Sequence, residues 1–469
     1  MWSRGSWFSR LAFTSFPVAD AWSRPVRLSG WGRDSYGRAR IATPRSSEEV
    51  AVLLDDDSVG TVAARGLGRS YGDAAGNEGG GLIDLTALDA VLDFDHSTGR
   101  VRVGAGIVLR KLLKVALLEG WFCPVVPGTA SVTLGGALAA DIHGKNHHEV
   151  GTLSAHVTGA RLVSPAWEGW ITPQREPEYF WASAGGMGLT GLLTEIELQL
   201  VRVPTGAMVV KQTPTSGLDS LLALLADPGA GFPYSVAWVD LLVRPRAPLR
   251  GILMEGRHAE TSDVRDGATY GLESRAGFDV PETAPDGLLS NLTGSLFNEL
   301  WYRRAASKTG ERIESIESYF FPLDVLRNWN RLYGSRGFQQ YQFVVPLGAE
   351  EALATIVQRL RGSPLPTFLA VLKMMGPSGL GHLSFPLEGW TLAVDLPCAG
   401  RALDELLDDC DRDVLEVGGR VYLAKDARMA REVFTEMYPR LEEWRAVRDR
   451  LDPHGRLSTD LGRRLGLSW

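Results

Sequence analysis

The sequence predicts an α+β fold with two domains. The chain has 469 residues, a length that favours two domains. Three glycine-rich stretches, Arg65–Asp73, Pro127–Gly144 and Gly185–Gly191, alternate with strand-like runs in the first part of the chain. Beyond Pro204 the glycine-rich stretches end, and strand and helix patterns alternate as in a sheet that carries helices on one face.

The composition argues against several classes of protein. No apolar run approaches the ~18 residues of a membrane-spanning helix. A formal net charge of −7 argues against general nucleic-acid binding. Cys123, Cys398 and Cys410 form no spaced pair, so they indicate neither a zinc site nor a disulfide framework, and they fit a reducing compartment.

The first 45 residues are basic and aromatic. They hold eight arginines against Asp20 and Asp34, with tryptophan and phenylalanine interleaved. Such a segment can rest on an anionic membrane surface. The alternatives are a solvated terminus or a start upstream of the real one. A signal peptide fits poorly, because Pro17 and polar neighbours interrupt a short apolar region.

Local patterns predict the elements of the first region in order. Ser46–Glu49 is a helix-start signal. The apolar run at 61–64 is a buried strand that leads into the first glycine loop. The remaining predicted elements are strands at 81–85 and 101–103, a helix at 108–118, a strand at 124–129, a glycine-led helix from Gly135, and strands at 157–163 and 192–200.

The second region contains further strand patterns, at 238–242, 301–302, 341–345, 368–373 and 390–395. Residues 258–287 are polar and contain Gly and Pro, which predicts a mobile loop. Gln340 and Gln342 flank Tyr341, so both amides share one face of a strand. That face suits either sugar hydroxyls or solvent. Helices follow Gly419 to the end of the chain.

The glycine-rich stretches carry the main chemical signal. Three glycines in Arg65–Asp73 let the backbone take positive φ and approach a ligand closely. Successive N–H groups in such a turn can form an anion nest. The spacing is Gly-x-Gly-x-x-x-Gly and no amphipathic helix follows, so a doubly wound NAD-binding fold fits poorly. Three such loops predict one large phosphate-bearing cofactor held mainly by backbone amides.

Histidines cluster after the second glycine stretch. His143, His147 and His148 would place imidazoles close together, but no compensating Asp, Glu or Cys cluster is evident. A histidine-bearing loop beside a cofactor is therefore favoured over a metal site, and we expect no metal.

Lysine is rare in this chain, at seven residues against 42 arginines, which draws attention to Lys145, Lys373 and Lys425. Lys373 ends a strongly apolar run. Lys425 either forms a surface pair with Asp426 or supplies a cation to a substrate phosphate or a reduced, anionic cofactor.

Long collinear motifs carry a family resemblance. They are Arg65–Asp73, Pro127–Thr129, Asp141–His148, Gly188–Gly191, Glu299–Arg303, Gln340–Phe343, Leu383–Pro386, Ala424–Asp426 and Met437–Arg440. The first four resemble the FAD domain of the vanillyl-alcohol-oxidase superfamily. More narrowly, the chain is similar to the decaprenylphosphoryl-β-D-ribose 2′-oxidase family of mycobacterial cell-wall synthesis, from about residue 28 to the end.

The resemblance implies a two-domain vanillyl-alcohol-oxidase-type flavoprotein with a discontinuous FAD-binding domain of the PCMH type. Residues 1–25 would be a basic aromatic N-terminal extension, and residues 26–206 the FAD-binding domain. Residues 207–419 would be the substrate-binding domain, with an antiparallel sheet and helices. Residues 420–469 would return to the FAD domain.

The resemblance also implies an activity. FAD would oxidise the C2′ hydroxyl of a polyprenylphosphoryl-β-D-ribose to the 2′-keto sugar, the first half of an epimerisation to the arabinose donor for cell-wall or related glycan synthesis. An NAD(P)H-dependent keto-sugar reductase would be the partner and a quinone the electron acceptor. The enzyme would be cytoplasmic, with peripheral contact on the inner face of the membrane. An aldonolactone (sugar-1,4-lactone) oxidase and a flavin-binding protein without turnover remain alternatives.

The resemblance assigns site residues by position. Catalysis would involve Lys425, Tyr71, His143 and Gln342, with Lys425 orienting the reactive hydroxyl or phosphate. Tyr71, His143 and Lys425 are all candidates for the base. FAD would be held by Arg65, Gly66, Leu67, Gly68, Arg69, Ser70, Tyr71, Gly72, Asp73, Gly128, Thr129, Thr133, Leu134, Gly135, Gly136, His143, Gly144, Leu192 and Tyr422. Substrate would lie against Trp238, Phe320, Gln340, Gln342, Lys373, Thr391, Ala393 and Lys425.

Three positions depart from the pattern of the ribose-oxidase family, and a fourth, Arg69, differs from other members of the superfamily. Arg69 stands where several superfamily members have a histidine bonded covalently to the flavin, which predicts noncovalent FAD. Ala393 replaces a cysteine, Thr391 an asparagine and Phe320 a tyrosine. Without a thiol at Ala393, nitroaromatic inhibitors that form a covalent adduct there should fail to do so. These changes bear on substrate identity and leave the flavin chemistry intact.

Overall fold

The structure is a computed structural model that describes residues 21–227, 229, 231–243, 247–264, 272, 277–282, 285, 289–307 and 310–468. The basic segment at 1–20 lies outside these residues. So does much of the predicted mobile loop at 258–287.

Helices and strands are distributed along the whole described chain. The strands are β1 Val26–Leu28, β2 Gly37–Ala42, β3 Val62–Arg65, β4 Gly81–Asp84, β5 Val91–Asp95, β6 Arg100–Gly104, β7 Trp121–Phe122, β8 Val157–Val163, β9 Glu168–Ile171, β10 Leu192–Gln199, β11 Val201–Arg202, β12 Ala207–Ser216, β13 Tyr234–Asp240, β14 Arg250–His258, β15 Phe278–Asp279, β16 Glu311–Ser315, β17 Leu326–Arg327, β18 Phe338–Pro346, β19 Ala370–Met375, β20 Gly389–Pro397 and β21 Arg420–Val421. The helices are α1 Ser47–Leu54, α2 Leu109–Leu118, α3 Leu134–Ala139, α4 His147–Val150, α5 Pro177–Ser183, α6 Leu218–Ala226, α7 Asn291–Ala306, α8 Ile316–Phe320, α9 Glu350–Gly362, α10 Arg401–Glu416, α11 Arg431–Met437, α12 Leu441–Leu451 and α13 Asp460–Leu465.

The first part of the chain builds two sheets. One has the order β1-β2-β4-β3, with β4 parallel to both β2 and β3. The other is antiparallel, with the order β5-β6-β10-β8-β9. Val62 and Ile83 of the first sheet share a buried apolar cluster with Val163 and Leu192 of the second. This packing presents the loops after β3 and before β10 on one side of the molecule.

The second part builds an antiparallel sheet of eight strands in the order β16-β12-β14-β13-β19-β20-β18-β21. Helices α6, α9 and α10 pack against it. The hydroxyl of Tyr341 on β18 donates to Asp411 of α10 at 2.8 Å, so odd-numbered positions of this strand face the helices. Gln340 and Gln342 therefore face the opposite side, towards the glycine loops. The α+β fold class predicted from the sequence is confirmed.

Two predicted strands are wrong. Residues 301–302 lie in α7, which begins at a capping box in which Ser290 and Thr293 bond reciprocally. Residues 124–129 form a loop, because Pro124 and Pro127 have no N–H to donate to a strand ladder. The other predicted elements of the first region appear within one or two residues of their expected bounds.

The C-terminal segment packs against the start of the chain. Arg456 Nε donates to the carbonyl of Leu54 at 2.9 Å, and Leu457 bridges Val62. Arg464 holds Asp73 through two contacts of 2.8 Å. These contacts agree with a segment that returns to the first region, while the bounds at 26, 206 and 420 remain a prediction.

Of the helices in the described ranges, none combines the length and apolarity needed to cross a membrane.

Candidate active site

A cavity of about 1000 Å³ lies between the glycine loops and the polar face of the eight-stranded sheet. Small-molecule sites commonly have volumes of about 300–1,000 Å³. We call its two sides the glycine wall, formed by the loops at 64–71, 126–144 and 187–193, and the sheet wall, formed by the cavity-facing side chains of β13, β18, β19 and β20.

The glycine wall is shaped by arginines that bind its backbone. Arg65 follows β3 and donates to the carbonyls of Ala75 at 2.5 Å and Ser29 at 3.0 Å. Gly68 has φ 60°, and a Cβ there would lie 2.3 Å from the Arg65 guanidinium. Glycine at this position therefore allows the tight turn around the arginine.

Arg69 is similarly engaged. Its Nε donates to Ser131 O at 3.0 Å, and its guanidinium stacks over Trp31 at 3.9 Å. A guanidinium cannot make the histidyl bond to flavin found in some superfamily members, so the expectation of noncovalent FAD stands.

The glycine wall leaves space for a cofactor. A Cβ built on Gly128 meets no atom within 4 Å, and one on Gly188 meets only Ala64 at 3.9 Å. A Cβ on Gly136 meets only Thr133 Oγ1, which lies 3.0 Å away and caps α3 by accepting from the Gly136 amide. Side chains at these places would enter the cavity, so the residues present fit a bulky FAD.

Most predicted cofactor residues border the cavity. They are Arg65, Gly66, Leu67, Gly68, Arg69, Ser70, Tyr71, Gly128, Thr129, Thr133, Gly135, Gly136, His143, Gly144 and Tyr422.

Four predicted cofactor residues lie behind the wall. Gly72 packs so closely that a Cβ would stand 2.2 Å from Asp426 O. Asp73 is bound to Arg464. Leu134 and Leu192 are buried in apolar clusters. These residues fix the loops to their surroundings, away from the cavity surface.

The predicted substrate residues all border the cavity, at the sheet wall or beside it. They are Trp238, Phe320, Gln340, Gln342, Lys373, Thr391, Ala393 and Lys425. Ala393 is paired in register with Gln342 on one neighbouring strand and Val371 on the other. The sheet wall thus brings together side chains from four strands that are far apart in sequence.

His143 connects the two walls. Its Nδ1 lies 2.8 Å from Lys373 Nζ, which also donates to Gly144 O at 2.5 Å. Its Nε2 lies 3.0 Å from Gln342 Nε2. Burial and the nearby Lys373 hold the pKa of His143 well below its usual range, so the imidazole is neutral.

This geometry couples the protonation of Lys373 to the Gln342 amide. Thr391 Oγ1 donates to Phe343 O at 2.8 Å and so accepts from Gln342 Nε2 at 3.2 Å. If the same nitrogen donates to His143, the imidazole proton is on Nδ1 and Lys373 must be neutral. If Lys373 is charged, that proton is on Nε2 and Gln342 must turn its oxygen towards it.

Lys425 lies at the seam between the walls. Its Nζ lies 3.8 Å from the centroid of the Tyr71 ring, and the Tyr71 amide donates to Ala424 O at 3.0 Å. Burial lowers the pKa of Lys425 to about 7, against the opposing effect of Asp395. Near neutral pH this amine can therefore either give or take a proton. Asp426 beside it is buried and paired with Arg464 at 2.8 Å, so a surface Lys425–Asp426 pair is ruled out.

The three candidate bases differ in proton affinity. Burial raises the pKa of Tyr71 well above 10, so its phenolate is costly to form. His143 is neutral but a weak base because its pKa is so low. Lys425, with a pKa of about 7, has the affinity best matched to proton transfer at neutral pH.

Two residues of this region were not among the predicted site residues: Asp395, which is not one of the residues that line the cavity, and Lys145, to which the rarity of lysine had drawn attention. Asp395 is buried on the same strand face as Thr391 and Ala393, and it accepts from Gln340 Nε2 at 2.5 Å. Burial raises its pKa to about 7. The period-two pattern at 391, 393 and 395 was the available signal. Lys145 does border the cavity, with a pKa lowered to about 7 by burial.

Protein groups engage the histidine cluster only in part: in the described residues, His147 Nε2 and both ring nitrogens of His148 are buried without a hydrogen-bond partner. His147 Nδ1 accepts from the amide of Gly376 at 3.1 Å. A search of the described residues finds no group of three or more His, Cys, Asp or Glu side chains placed to hold a metal ion.

Two protein-family models match the chain. A model described as an FAD binding domain matches residues 39–167. A second, described as D-arabinono-1,4-lactone oxidase, matches residues 402–465. The first match spans two of the three glycine stretches and the second includes Lys425, so together they cover two loops of the glycine wall and the seam.

Curated proteins are similar over the whole length. The chain is 37% identical to a decaprenylphosphoryl-β-D-ribose oxidase of Mycolicibacterium smegmatis, over 97% of the chain and 100% of that protein. It is 24% identical to an L-gulono-1,4-lactone dehydrogenase of Mycobacterium tuberculosis, over 93% of the chain and 98% of that protein. An alditol oxidase of Streptomyces sp. is 26% identical over 41% of the chain and 46% of that protein.

Proposed function

Because the chain belongs to the family of FAD-dependent decaprenylphosphoryl-β-D-ribose oxidases, we propose that it oxidises the C2′ hydroxyl of a polyprenylphosphoryl-β-D-ribose. The product is the 2′-keto sugar, and the reaction is the first half of an epimerisation to the arabinose donor of a cell-wall or related glycan. As a member of this family, the chain is an FAD-dependent oxidoreductase that acts on a CH–OH group.

The observation that carries the substrate proposal is a cluster of lysines. Lys145, Lys373 and Lys425 all border the cavity, although the chain has only seven lysines. Burial lowers the pKa of Lys145 and of Lys373 to about 7, so an anion that enters the cavity stabilises their charged forms. A sugar phosphate supplies that anion, and a neutral free lactone does not.

FAD, when bound, supplies the acceptor for the hydride. The glycine wall would hold it through backbone amides and the open faces of Gly128, Gly136 and Gly188. The protein contributes binding, orientation and electrostatics.

Lys425 removes the hydroxyl proton in this proposal. Loss of a hydride from an alcohol carbon requires that the O–H proton leave, and a base with a pKa near the working pH does this best. In the described structure no protein group accepts a hydrogen bond from Lys425 Nζ, whose nearest feature is the Tyr71 ring. The neutral amine is therefore free to accept a proton at Nζ.

Gln342 and His143 orient the sugar. Gln342 is held by Thr391 and by His143, which is held in turn by Lys373. Side chains fixed in this way present donors and acceptors to ribose hydroxyls with little loss of entropy on binding. Apolar Ala393 and Phe320 complete the pocket.

An aldonolactone oxidase remains the second candidate, favoured by the family match over residues 402–465. The full-length identity to a lactone dehydrogenase is lower, at 24% against 37%. The lysine cluster also supports the phosphate-bearing substrate over the lactone.

An anaerobic titration tests the proposal. Purified holoenzyme is mixed with farnesylphosphoryl-β-D-ribose, and the flavin absorbance is followed. Bleaching by this compound, without bleaching by ribono-1,4-lactone, is the expected result. If the lactone alone bleaches the flavin, the lactone-oxidase proposal replaces the ribose-oxidase proposal. If no sugar bleaches the flavin, both proposals are contradicted.

The partners belong to the same proposal. The keto sugar requires a reductase that uses NAD(P)H to complete the epimerisation, and the reduced flavin requires an acceptor such as a quinone. A lipid-linked substrate favours peripheral contact with the cytoplasmic face of a membrane. Domain bounds of 26–206, 207–419 and 420–469 are proposed with it.

A further inference from the structure

Helix α7 (Asn291–Ala306) turns its polar side inward. Asn298 is buried, and its Nδ2 donates to Asp240 on β13 at 2.7 Å. Glu299 accepts from Arg250 on β14 at 2.5 Å. An ordinary surface helix buries an apolar stripe and exposes its charges. The inward contacts of α7 are thus partly polar, beside the apolar packing of Ala305 and Tyr302 against Trp238.

The outward side of α7 is apolar. Leu292, Leu296, Phe297 and Leu300 are 61–80% exposed. The leucines recur every four residues, so they form one stripe along the helix. Phe297 stacks on Trp301 with ring centroids 6.4 Å apart. Single exposed apolar residues are common, but a contiguous stripe on one helix marks an interaction surface.

This stripe is continuous with the cavity. Phe297, Trp301 and Arg304 of α7 line the cavity wall, together with exposed Leu326 and Arg327 of β17. A molecule bound to the stripe therefore lies at the mouth through which a substrate enters.

Most of the described charges at the mouth are positive, and exposed Asp279, which pairs in register with Arg327, lies 3.5 Å from Arg331. Arg303 and Arg304 are exposed in the last turn of α7, and Arg327 is exposed across the mouth. Glu299, the single carboxylate of α7, is compensated by Arg250 and Arg303. An apolar stripe with a basic rim complements an anionic lipid surface. A second copy of the chain would bring the same arginines together and is less favoured.

We propose that the α7 stripe docks on an anionic bilayer and holds the cavity mouth against the membrane. A polyprenyl chain can then stay in the lipid while its sugar enters the cavity. The lipid-linked substrate in this picture rests on the proposed function, whereas the bilayer contact itself does not.

Vesicle binding by the full-length holoenzyme tests the contact. The protein is sedimented with phosphatidylcholine vesicles that do or do not contain phosphatidylglycerol. The double variant Leu296→Ser/Leu300→Ser is compared with Leu118→Ser/Leu380→Ser, which changes two exposed leucines outside α7. We expect at least a tenfold loss of binding in the first variant only, since burial of the leucine side chains in the bilayer contributes to binding.

A local probe keeps the test specific to α7. An environment-sensitive fluorophore on Leu300→Cys should shift to the blue with anionic vesicles, and one on Leu118→Cys should not. Equal vesicle binding by the two double variants, or no shift at position 300, would overturn the proposal. So would a dimer seen by sedimentation velocity that dissociates in the α7 variant while vesicle binding stays unchanged.

The two proposals fail in different ways. If the α7 proposal is wrong, farnesylphosphoryl-β-D-ribose still bleaches the flavin but α7 makes no lipid contact. If the assigned substrate is wrong, the flavin is not bleached while α7 still binds vesicles. If both hold, the α7 variant reacts normally with the short-chain substrate in solution and at least tenfold more slowly with a long-chain substrate in vesicles.

Discussion

The two walls of the cavity are built on different principles. The glycine wall presents mostly backbone, and its arginines bind the backbone carbonyls of Ala75, Ser29 and Ser131. The sheet wall presents side chains that hold one another, such as Gln342, His143 and Lys373. In the proposed function, one wall therefore supplies space and amides for a cofactor, and the other supplies the side chains that act on the substrate. Substitutions can test whether the two tasks are separate.

The largest effect is expected at the seam. Lys425→Ala removes the proposed base, and the rate of anaerobic flavin reduction should fall by about 10²- to 10⁴-fold. FAD content should stay near one per chain, because the glycine wall is unchanged. Lys114→Ala, at an exposed position of α2, is the control. A Lys425→Ala protein that reacts at the normal rate would remove this lysine from the mechanism.

The second-largest loss in the rate of flavin reduction is expected from a substitution in the sheet wall. Lys373→Met keeps the bulk of the side chain but breaks its contacts with His143 and Gly144. Hydrogen bonds to charged groups are worth about 1.5–3 kcal/mol, so a rate loss of roughly 10- to 150-fold is expected. Stopped-flow absorbance measures the rate, with Lys114→Met at an exposed position of α2 as the control. Loss of bound FAD instead would show that the walls are not independent.

A substitution in the glycine wall should lower the affinity for FAD and leave the rate of flavin reduction unchanged. Gly128→Leu fills open space in the cavity, and overpacking costs about 1–3 kcal/mol. FAD affinity should fall by about tenfold, measured by release of flavin fluorescence on dilution. Gly60→Leu, at an exposed glycine that also has no neighbour within 4 Å, should bind FAD normally. The fraction of Gly128→Leu that retains FAD should react at the normal rate.

A pH profile separates binding from chemistry. Burial lowers the pKa of Lys425 to about 7, so the neutral amine becomes available as pH rises through that value. The limiting rate at saturating substrate should rise about tenfold between pH ~6 and ~8. Substrate affinity should fall over the same range, as Lys145 and Lys373 lose charge. A limiting rate that falls with pH would instead assign Lys425 a role as a cation.

The smallest effect on turnover is expected at position 393. Ala393→Cys places a thiol on the sheet wall between β18 and β19. Turnover should change by less than about threefold, since the volume change is small. Mass spectrometry should find a covalent adduct with a nitroaromatic inhibitor of the family on the variant and none on the natural protein. An adduct on the natural protein would contradict the prediction.

The same contrast explains what the sequence could predict. The glycine wall is built from contiguous loops. Its residues are therefore neighbours in the sequence, and their high glycine content identifies them. The sheet wall is assembled from single positions on separate strands. The period-two pattern places Asp395 on the same strand face as Thr391 and Ala393, but its hydrogen bond to Gln340 on the neighbouring strand appears only in the structure.

Helix α7 shows a second limit. Trp301–Tyr302 suggested a strand because aromatic residues favour strands. The capping box at Ser290, eleven residues upstream, stabilises the start of a helix that includes both residues. The inward polar contacts of α7 depend on Asp240 and Arg250. These residues are too far from α7 in the sequence to enter a local pattern. A periodicity test alone would have placed the wrong face inside.

The bond between Arg464 and Asp73 has a consequence for biosynthesis. The two residues are 391 positions apart, and Arg464 also binds Asp426 beside Lys425. During translation the first glycine loop therefore leaves the ribosome long before the groups that fix it. Such long-range contacts slow folding and expose intermediates to aggregation. Flavin capture should accordingly be a late, post-translational event, and a nascent chain released before residue 464 should leave the ribosome colourless.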